Sequence, residues 1–324
     1  MTRITALDPG TYRRHPIHAE ERTWPETNCY SDVIIELLHG LGREPRAALA
    51  FTLAIDFEGD QWTFFKFPHA ELLDLYGFDV QELAVWRPLT DHITDLVAAG
   101  RPVLVELDSY FLPDTLGTAY QRAHVKSTVA VNDIDVEGRR LGYFHNQGYH
   151  QLEGRDFLDV FQVEGLVHER MLPPYFEYVK IRSPDSSPQG PELLRRSLEP
   201  LSRHLRRAPV DNPFLRFQAG FRKDLDWLLN STVDTFHAYS FATLRQYGAC
   251  FELSETYLRW LNDQGVDSVA AAADSFQSIA RGAKTLQINL ARSMARKRPL
   301  DLSPLDTMAE SWAAGMATLR ERFG

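Results

Sequence analysis

A thiol becomes a good nucleophile where its surroundings favour the ionised form, and Cys29 stands in such a place. It lies in Trp24-Pro25-Glu26-Thr27-Asn28-Cys29-Tyr30-Ser31-Asp32, immediately ahead of an apolar run with helical spacing. A cysteine at a helix N-terminus feels the positive end of the helix dipole and several unpaired backbone N–H groups. Both favour the thiolate. The Cys29 N–H, helped by Asn28, can also stabilise an oxyanion when sulfur attacks a carbonyl. The alternative is an inert core thiol, since free cysteine is among the most buried residue types. Cys250, in a helical pattern with Phe251, Leu253 and Tyr257, reads as such a core thiol.

A thiolate nucleophile works with an imidazole, and the imidazole needs an orienting carboxylate or amide. His124 opens a strand-like run directly after the loop Pro113–Ala123. Residues Arg140 to His150 read as its hairpin partner, with the turn near Asp135-Val136. Paired positions in an antiparallel hairpin sum to a constant, so His124 falls opposite about position 147. Asn146 is one residue away and is the expected orienting group. A strand-end histidine and a turn asparagine are the structural alternatives. Asp108 and Tyr110 close a strand-like segment, where they either bind a substrate amino group or cap the next turn. Glu58 and Asp60 flank Gly59 and read as turn residues. His145, His150, Asp133 and Asp135 can be drawn as a metal site, but their spacing fits no metal motif and no metal is expected. No phosphate-binding glycine loop is recognisable.

These residues need elements to hold them. Ser31 to Leu41 carries apolar residues at helical spacing and is stopped by Gly40 and Gly42. Ala48 to Phe57 and Trp62 to Phe67 read as strands around Glu58-Gly59-Asp60. Helical patterns follow at His69 to Tyr76 and Leu89 to Ala99, and Val103 to Leu107 has the β-branched character of a buried strand. His124 to Ile134 and Arg140 to His150 form a hairpin, and Glu177 to Ile181 a last strand. Beyond Ser183 to Pro191, rich in Pro, Ser and Gly, every pattern is helical: 214–229, 233–247, 252–262, 266–296 and 305–323. The expected organisation is an α+β domain over residues 1–182, a linker at 183–192 and an all-α domain at 193–324.

Composition narrows the function. Apolar residues make up 44% and charged residues 24% of the chain, which are globular values. The net charge of −9 argues against general nucleic-acid binding. Two cysteines far apart exclude a disulfide framework. No apolar stretch is long enough to span a bilayer, and the N-terminus lacks a signal-peptide core, so a cytoplasmic protein is expected. Leu193 to Gly324 holds 18 basic and 14 acidic residues, net +4, against 17 and 30, net −13, before it. A basic C-terminal part suits an acidic partner or is a solvated helical surface.

The order of Cys before a helix, then His on a strand, then Asn on the next strand is similar to that of the papain-like cysteine superfamily. Asn28-Cys29, the run Pro102-Val103-Leu104-Val105-Glu106-Leu107-Asp108-Ser109-Tyr110-Phe111-Leu112-Pro113, His124 and His145-Asn146 resemble, more closely, the N-terminal domain family of butirosin biosynthesis protein H. That family usually has Asp, often followed by Pro, as its third catalytic residue, where this chain has Asn146 followed by Gln147. The whole chain also resembles a bacterial family associated with amino acid:[carrier protein] ligases. Its typical segments here are Ala6-Leu7-Asp8-Pro9, 24–30, 56–67 and 142–146. The resemblance implies a papain-like fold and a cysteine acyltransferase. An aminoacyl group would pass from a carrier-protein thioester through Cys29 to an amine. The donor's phosphopantetheine arm would come with an acidic carrier protein, and no tightly bound cofactor is implied. A cysteine amidase or peptidase, or a non-catalytic module docking the carrier protein or ligase, are the rival readings.

Overall fold

The computed structural model describes residues 2–163, 174–182, 187–297 and 299–324. In chain order the elements are β1 (Thr2–Arg3), α1 (Cys29–Gly40), β2 (Phe57–Glu58), β3 (Gln61–Trp62), α2 (His69–Tyr76), β4 (Phe78–Glu82), α3 (Leu89–Ala98) and β5 (Val103–Asp108). Next come β6 (Lys126–Asp135), β7 (Arg140–His145), β8 (Gly148–Glu153), α4 (Arg155–Val160) and β9 (Phe176–Ile181). Among the described residues six α-helices follow: α5 (Gly190–Arg207), α6 (Pro213–Asn230), α7 (Val233–Ser240), α8 (Gln246–Asp263), α9 (Ala270–Arg296) and α10 (Ser303–Phe323). The fold is α+β, with an antiparallel sheet in the N-terminal part and helices alone beyond β9 among the described residues.

The chain forms two compact units. The first comprises Met1–Ala19, Asn28–Pro45 and Pro68–Pro188. The second comprises Glu20–Thr27, Arg46–Phe67 and Gln189–Gly324, so two N-terminal segments join the helical part. Their inclusion changes the charge reading. Glu192 and the two segments add seven acidic and three basic residues, so the second unit carries 21 of each and is neutral. The expected linker starts at Ser183–Ser186, which lie outside the described residues. Its end is already helix, because Pro191 takes an early helical position where its missing N–H costs nothing.

The first unit is built on one antiparallel sheet in the order β4-β9-β5-β6-β7-β8, with β1 continuing beside β6 past the end of β5. Val103, Val105, Leu107, Val129 and Val131 line one face, and α3 and α4 cover it with Ile93, Val97, Phe157 and Val160. Helix α1 packs against β6 and β7. Residues Tyr30 to Leu38 of that helix are all buried, including the polar Asp32 and Glu36. Gly40 permits the approach, since a Cβ there would sit 2.5 Å from Cζ of Phe144.

Two strand expectations fail. The apolar run at 48–57 is a series of 3-10 turns at Pro45–Ala54, and only Phe57–Glu58 pairs, with Gln61–Trp62. Ala47, Leu49, Ala50 and Leu53 are buried without strict alternation, and a short run buried on all sides carries no period that separates helix from strand. The expected strand 140–150 is itself a hairpin, β7 and β8, turning at Asn146-Gln147. In the second unit α7 runs through a wide π-type turn at Phe241–Arg245 into α8, where one helix was expected to end and another to begin.

Candidate active site

Cys29 is the first residue of α1, and Asn28 is its N-cap. The Asn28 backbone is extended, its side-chain oxygen accepts the Ser31 N–H at 2.9 Å, and its carbonyl accepts the Asp32 N–H at 2.9 Å. Helix geometry leaves the Cys29 N–H ahead of the first intrahelical bond, at the positive end of the dipole. Asn28 therefore acts on Cys29 through the cap, its side-chain oxygen committed to the helix as an acceptor.

The sheet carries the partner groups. β5 and β6 pair Glu106 with Thr128 and Asp108 with Lys126. Side chains two apart share a face, so these four point to one side. Cys29, half-buried, lies over this face, with its Sγ 4.0 Å from the Thr128 hydroxyl. His124 stands at the other end of the row. Its Nδ1 is 2.6 Å from Oδ2 of Asp108, and its ring stacks on Tyr110 with centroids 4.4 Å apart and planes at 10°. The other Asp108 oxygen accepts the Tyr110 N–H at 3.0 Å. One carboxylate thus fixes both the ring and the turn that carries its stacking partner. With Nδ1–H donating to Asp108, the lone pair sits on Nε2, the arrangement a general base requires.

Residues 13–181 match the DUF1839 N-terminal domain and residues 190–321 the DUF1839 C-terminal domain. The chain belongs to the DUF1839 family. No curated protein matches it. Cys29, Asp108 and His124 all fall in the part matched by the DUF1839 N-terminal domain.

The structure corrects one assignment within that domain and extends another. Of the two roles expected for Asp108 and Tyr110, the second is found: Asp108 caps the turn after β5, and both residues also hold His124. Asn146, expected to orient His124, sits at φ 48° in the β7–β8 turn, where His145 pairs with Gly148. The register explains it. Asp135 pairs with Arg140, and an irregularity between Val131 and Asp133 shifts the ladder by one, so Ala130 pairs with Phe144. Continued to His124, that ladder runs past the end of β7 and its turn. Cys29 and His124 share a face but make no hydrogen bond: the described contact of Sγ is Thr128. Along the strands the Thr128 and Asp108 rows are about 7 Å apart.

A second polar group adjoins Cys29. The Tyr30 hydroxyl donates to Oε2 of buried Glu177 at 2.9 Å, and the Tyr175 hydroxyl donates to Oε1 at 2.8 Å. His69 Nε2 lies 2.7 Å from the Tyr30 oxygen and must donate to it, since the Tyr30 proton is spent on Glu177. Burial first, and then Glu177, push the Tyr30 phenol far above its ordinary range, so it stays a neutral donor.

Beneath α1, His18 is fully buried between two carboxylates of that helix. Its Nδ1 lies 2.5 Å from Glu36 and its Nε2 3.2 Å from Asp32. Burial lowers the imidazole pKa, but the bonds to Asp32 and Glu36 outweigh it and raise it to about 9. The charged ring thus compensates two buried charges.

On the opposite face of the sheet lies a chain the sequence did not signal. Ser127 Oγ is 2.6 Å from His145 Nε2, and His145 Nδ1 is 2.6 Å from Asp114, which also accepts from the Tyr143 hydroxyl at 2.5 Å. The atom order is that of a nucleophilic triad, but His145 is 1% exposed and Ser127 9%. The chain instead fastens the loop between β5 and β6, through Asp114, to the strands beneath it. Burial raises the Asp114 carboxyl, while His145 overcomes this and holds it low. His145 and His150 therefore do not join Asp133, which accepts from Tyr149. Among the described residues no group of three His, Cys, Asp or Glu side chains could hold a metal. No described helix is long and apolar enough to cross a membrane.

Proposed function

We propose that this DUF1839 chain is a cysteine-dependent acyltransferase with Cys29 as nucleophile, His124 as base and acid, and Asp108 as the orienting carboxylate. The observation that carries the reading is the Asp108–His124 pair, braced by Tyr110, on the sheet face over which Cys29 begins a helix. The His124 ring is exposed, with its side chain 62% accessible, and turns towards Thr128 to take the Sγ proton as the donor binds. Catalytic hydrogen bonds are often made only in the substrate complex.

The chemistry balances without a cofactor. Thiolate sulfur attacks the donor carbonyl, the oxyanion rests on the Cys29 N–H, and the donor thiol leaves with the proton from His124. An amine then attacks the acyl-Cys29 and His124 accepts its proton. Exchange of one thioester for another costs little, which suits an aminoacyl group on the phosphopantetheine arm of a carrier protein. The donor's identity as an acidic carrier protein rests on the family resemblance alone, because the neutral second unit offers no electrostatic preference. A hydrolase of the same fold would use water as acceptor.

The Cys29–Thr128 contact supports a second reading, a module that docks its partner without chemistry. Incubation with an aminoacyl carrier-protein thioester and an amine separates the three. Transfer predicts an acyl-Cys29 adduct by intact-mass analysis and an amide product, both lost in Cys29→Ala. Free amino acid marks the hydrolase. Carrier binding unchanged in Cys29→Ala, with no adduct, marks the docking module.

A further inference from the structure

The helical unit contains a pocket that the proposed chemistry leaves unused. It lies where α6 ends, α7 begins and α9 ends, and its volume is about 340 Å³. Leu229, Val233, Phe236, Ala291, Met294 and Ala295 make its apolar lining. Its polar lining is Ser231, His237 and Lys297, with no carboxylate among the described residues. The Ser231 proton is spent on the Trp227 carbonyl at 2.8 Å. The donors left to a ligand are then a lysine ammonium and an imidazole.

Lys297 is placed at a cost. It ends α9 in the left-handed conformation, φ 51°, where glycine or asparagine is usual. One ammonium proton goes to the Leu229 carbonyl at 2.8 Å, which draws the side chain across from α9 to the end of α6. Two N–H donors remain on it.

We propose that this pocket binds a small apolar carboxylate, its chain among Val233, Phe236, Ala291 and Met294 and its carboxylate on Lys297 with His237 beside it. The volume decides the size. At roughly 30 Å³ per water-sized group, it has room for about ten heavy atoms, the size of octanoate. The charge decides the head group, since a cation would meet an ammonium and no carboxylate.

The test is calorimetric titration of the full chain at neutral pH with octanoate, n-octylamine and octanol. Octanoate binds one to one, at least about tenfold more tightly than either neutral or cationic analogue. Ala291→Trp fills the pocket and abolishes binding. Lys297→Asn keeps a residue that tolerates the left-handed backbone, removes the charge, and brings octanoate down to the level of octanol. No saturable octanoate binding overturns the proposal, as does an affinity that ignores Lys297→Asn. Equal binding of all three probes also overturns it, and would mark a seat for an apolar side chain of a partner. Should Ala291→Trp fail to fold, Lys297→Asn still decides. Cys29→Ala leaves octanoate binding unchanged, so the outcome is independent of the transferase reading.

Discussion

Asp108→Asn separates the two candidates for the third catalytic residue. The Asn oxygen can still accept the Tyr110 N–H, which the parent carboxylate accepts at 3.0 Å, so the turn after β5 survives. What is lost is the charge against His124, whose side chain is 62% exposed. An exposed ion pair contributes no more than about 1 kcal/mol, and the urea midpoint should move by no more than that implies. Turnover should respond far more. An amide at this position no longer enforces the tautomer that leaves the lone pair on Nε2. Losing general acid–base catalysis costs on the order of 10²- to 10⁴-fold. Asn146→Ala is the counterpart: alanine at φ 48° costs roughly 1–2 kcal/mol of stability and leaves turnover near that of the parent. The assay is single-turnover loss of the aminoacyl group from its carrier-protein thioester, run beside urea unfolding of each variant. Parent-like turnover in Asp108→Asn, or a hundredfold loss in a folded Asn146→Ala, would refute the reasoning.

Iodoacetamide followed by peptide mass spectrometry should label Cys29 in the folded protein and leave Cys250 untouched until urea unfolds it. Cys250 is fully buried and its thiol is pushed well up by that burial. Stability should fall as pH rises from about 6.5 through 9. The His18 imidazole is raised to about 9 when folded, so its contribution is complete below the unfolded value and is lost above the folded one. His18→Gln should flatten that slope in urea midpoints measured between pH 6 and pH 10. His145→Ala leaves Asp114 and Ser127 without their shared partner and should cost about 3–5 kcal/mol by urea unfolding. Gly40→Ala drives a methyl into Phe144 and should cost about 1–3 kcal/mol in the same measurement.

Helix α1, strands β5, β6 and β9, and most of the C-terminal helices were legible because their apolar residues recur at one period over a sufficient length. Ala48 to Phe57 was not legible, since a run buried on all sides has no period. The two segments that join the helical unit left no trace in local pattern either. Membership there is a matter of tertiary contact, and the +4 charge assigned to residues 193–324 disappeared with it. The positions of Cys29 and His124 could be read from their neighbours: a polar loop before a helix, and a loop before a strand. The Ser127–His145–Asp114 chain could not, because its members come from a strand start, a strand end and a loop with no shared spacing.

Asn146 and Asp108 belong to opposite neighbours of β6, and the two neighbours differ in how firmly they are tied to His124. The start of β6 lies between β5 and the end of β7, and a histidine just before its first residue can be oriented from either side. Extrapolating along β7 depends on where the turn is centred: Asp135 pairs with Arg140, so the turn lies two residues beyond Asp135-Val136, and β7 ends at His145, short of the level of His124. The β5 side involves no such extrapolation, because Asp108 is the last residue of β5 and pairs with Lys126, the first of β6. A loop that leaves a strand at Asp108 and returns at Lys126 must bring its two ends together whatever its length. Asp108 and His124 are held near each other by chain closure itself, and Tyr110 occupies the turn that follows. The Asp-x-Tyr run ahead of the histidine therefore encodes the mount of the imidazole, and substitutions in it should act through His124 more than through any substrate contact of their own.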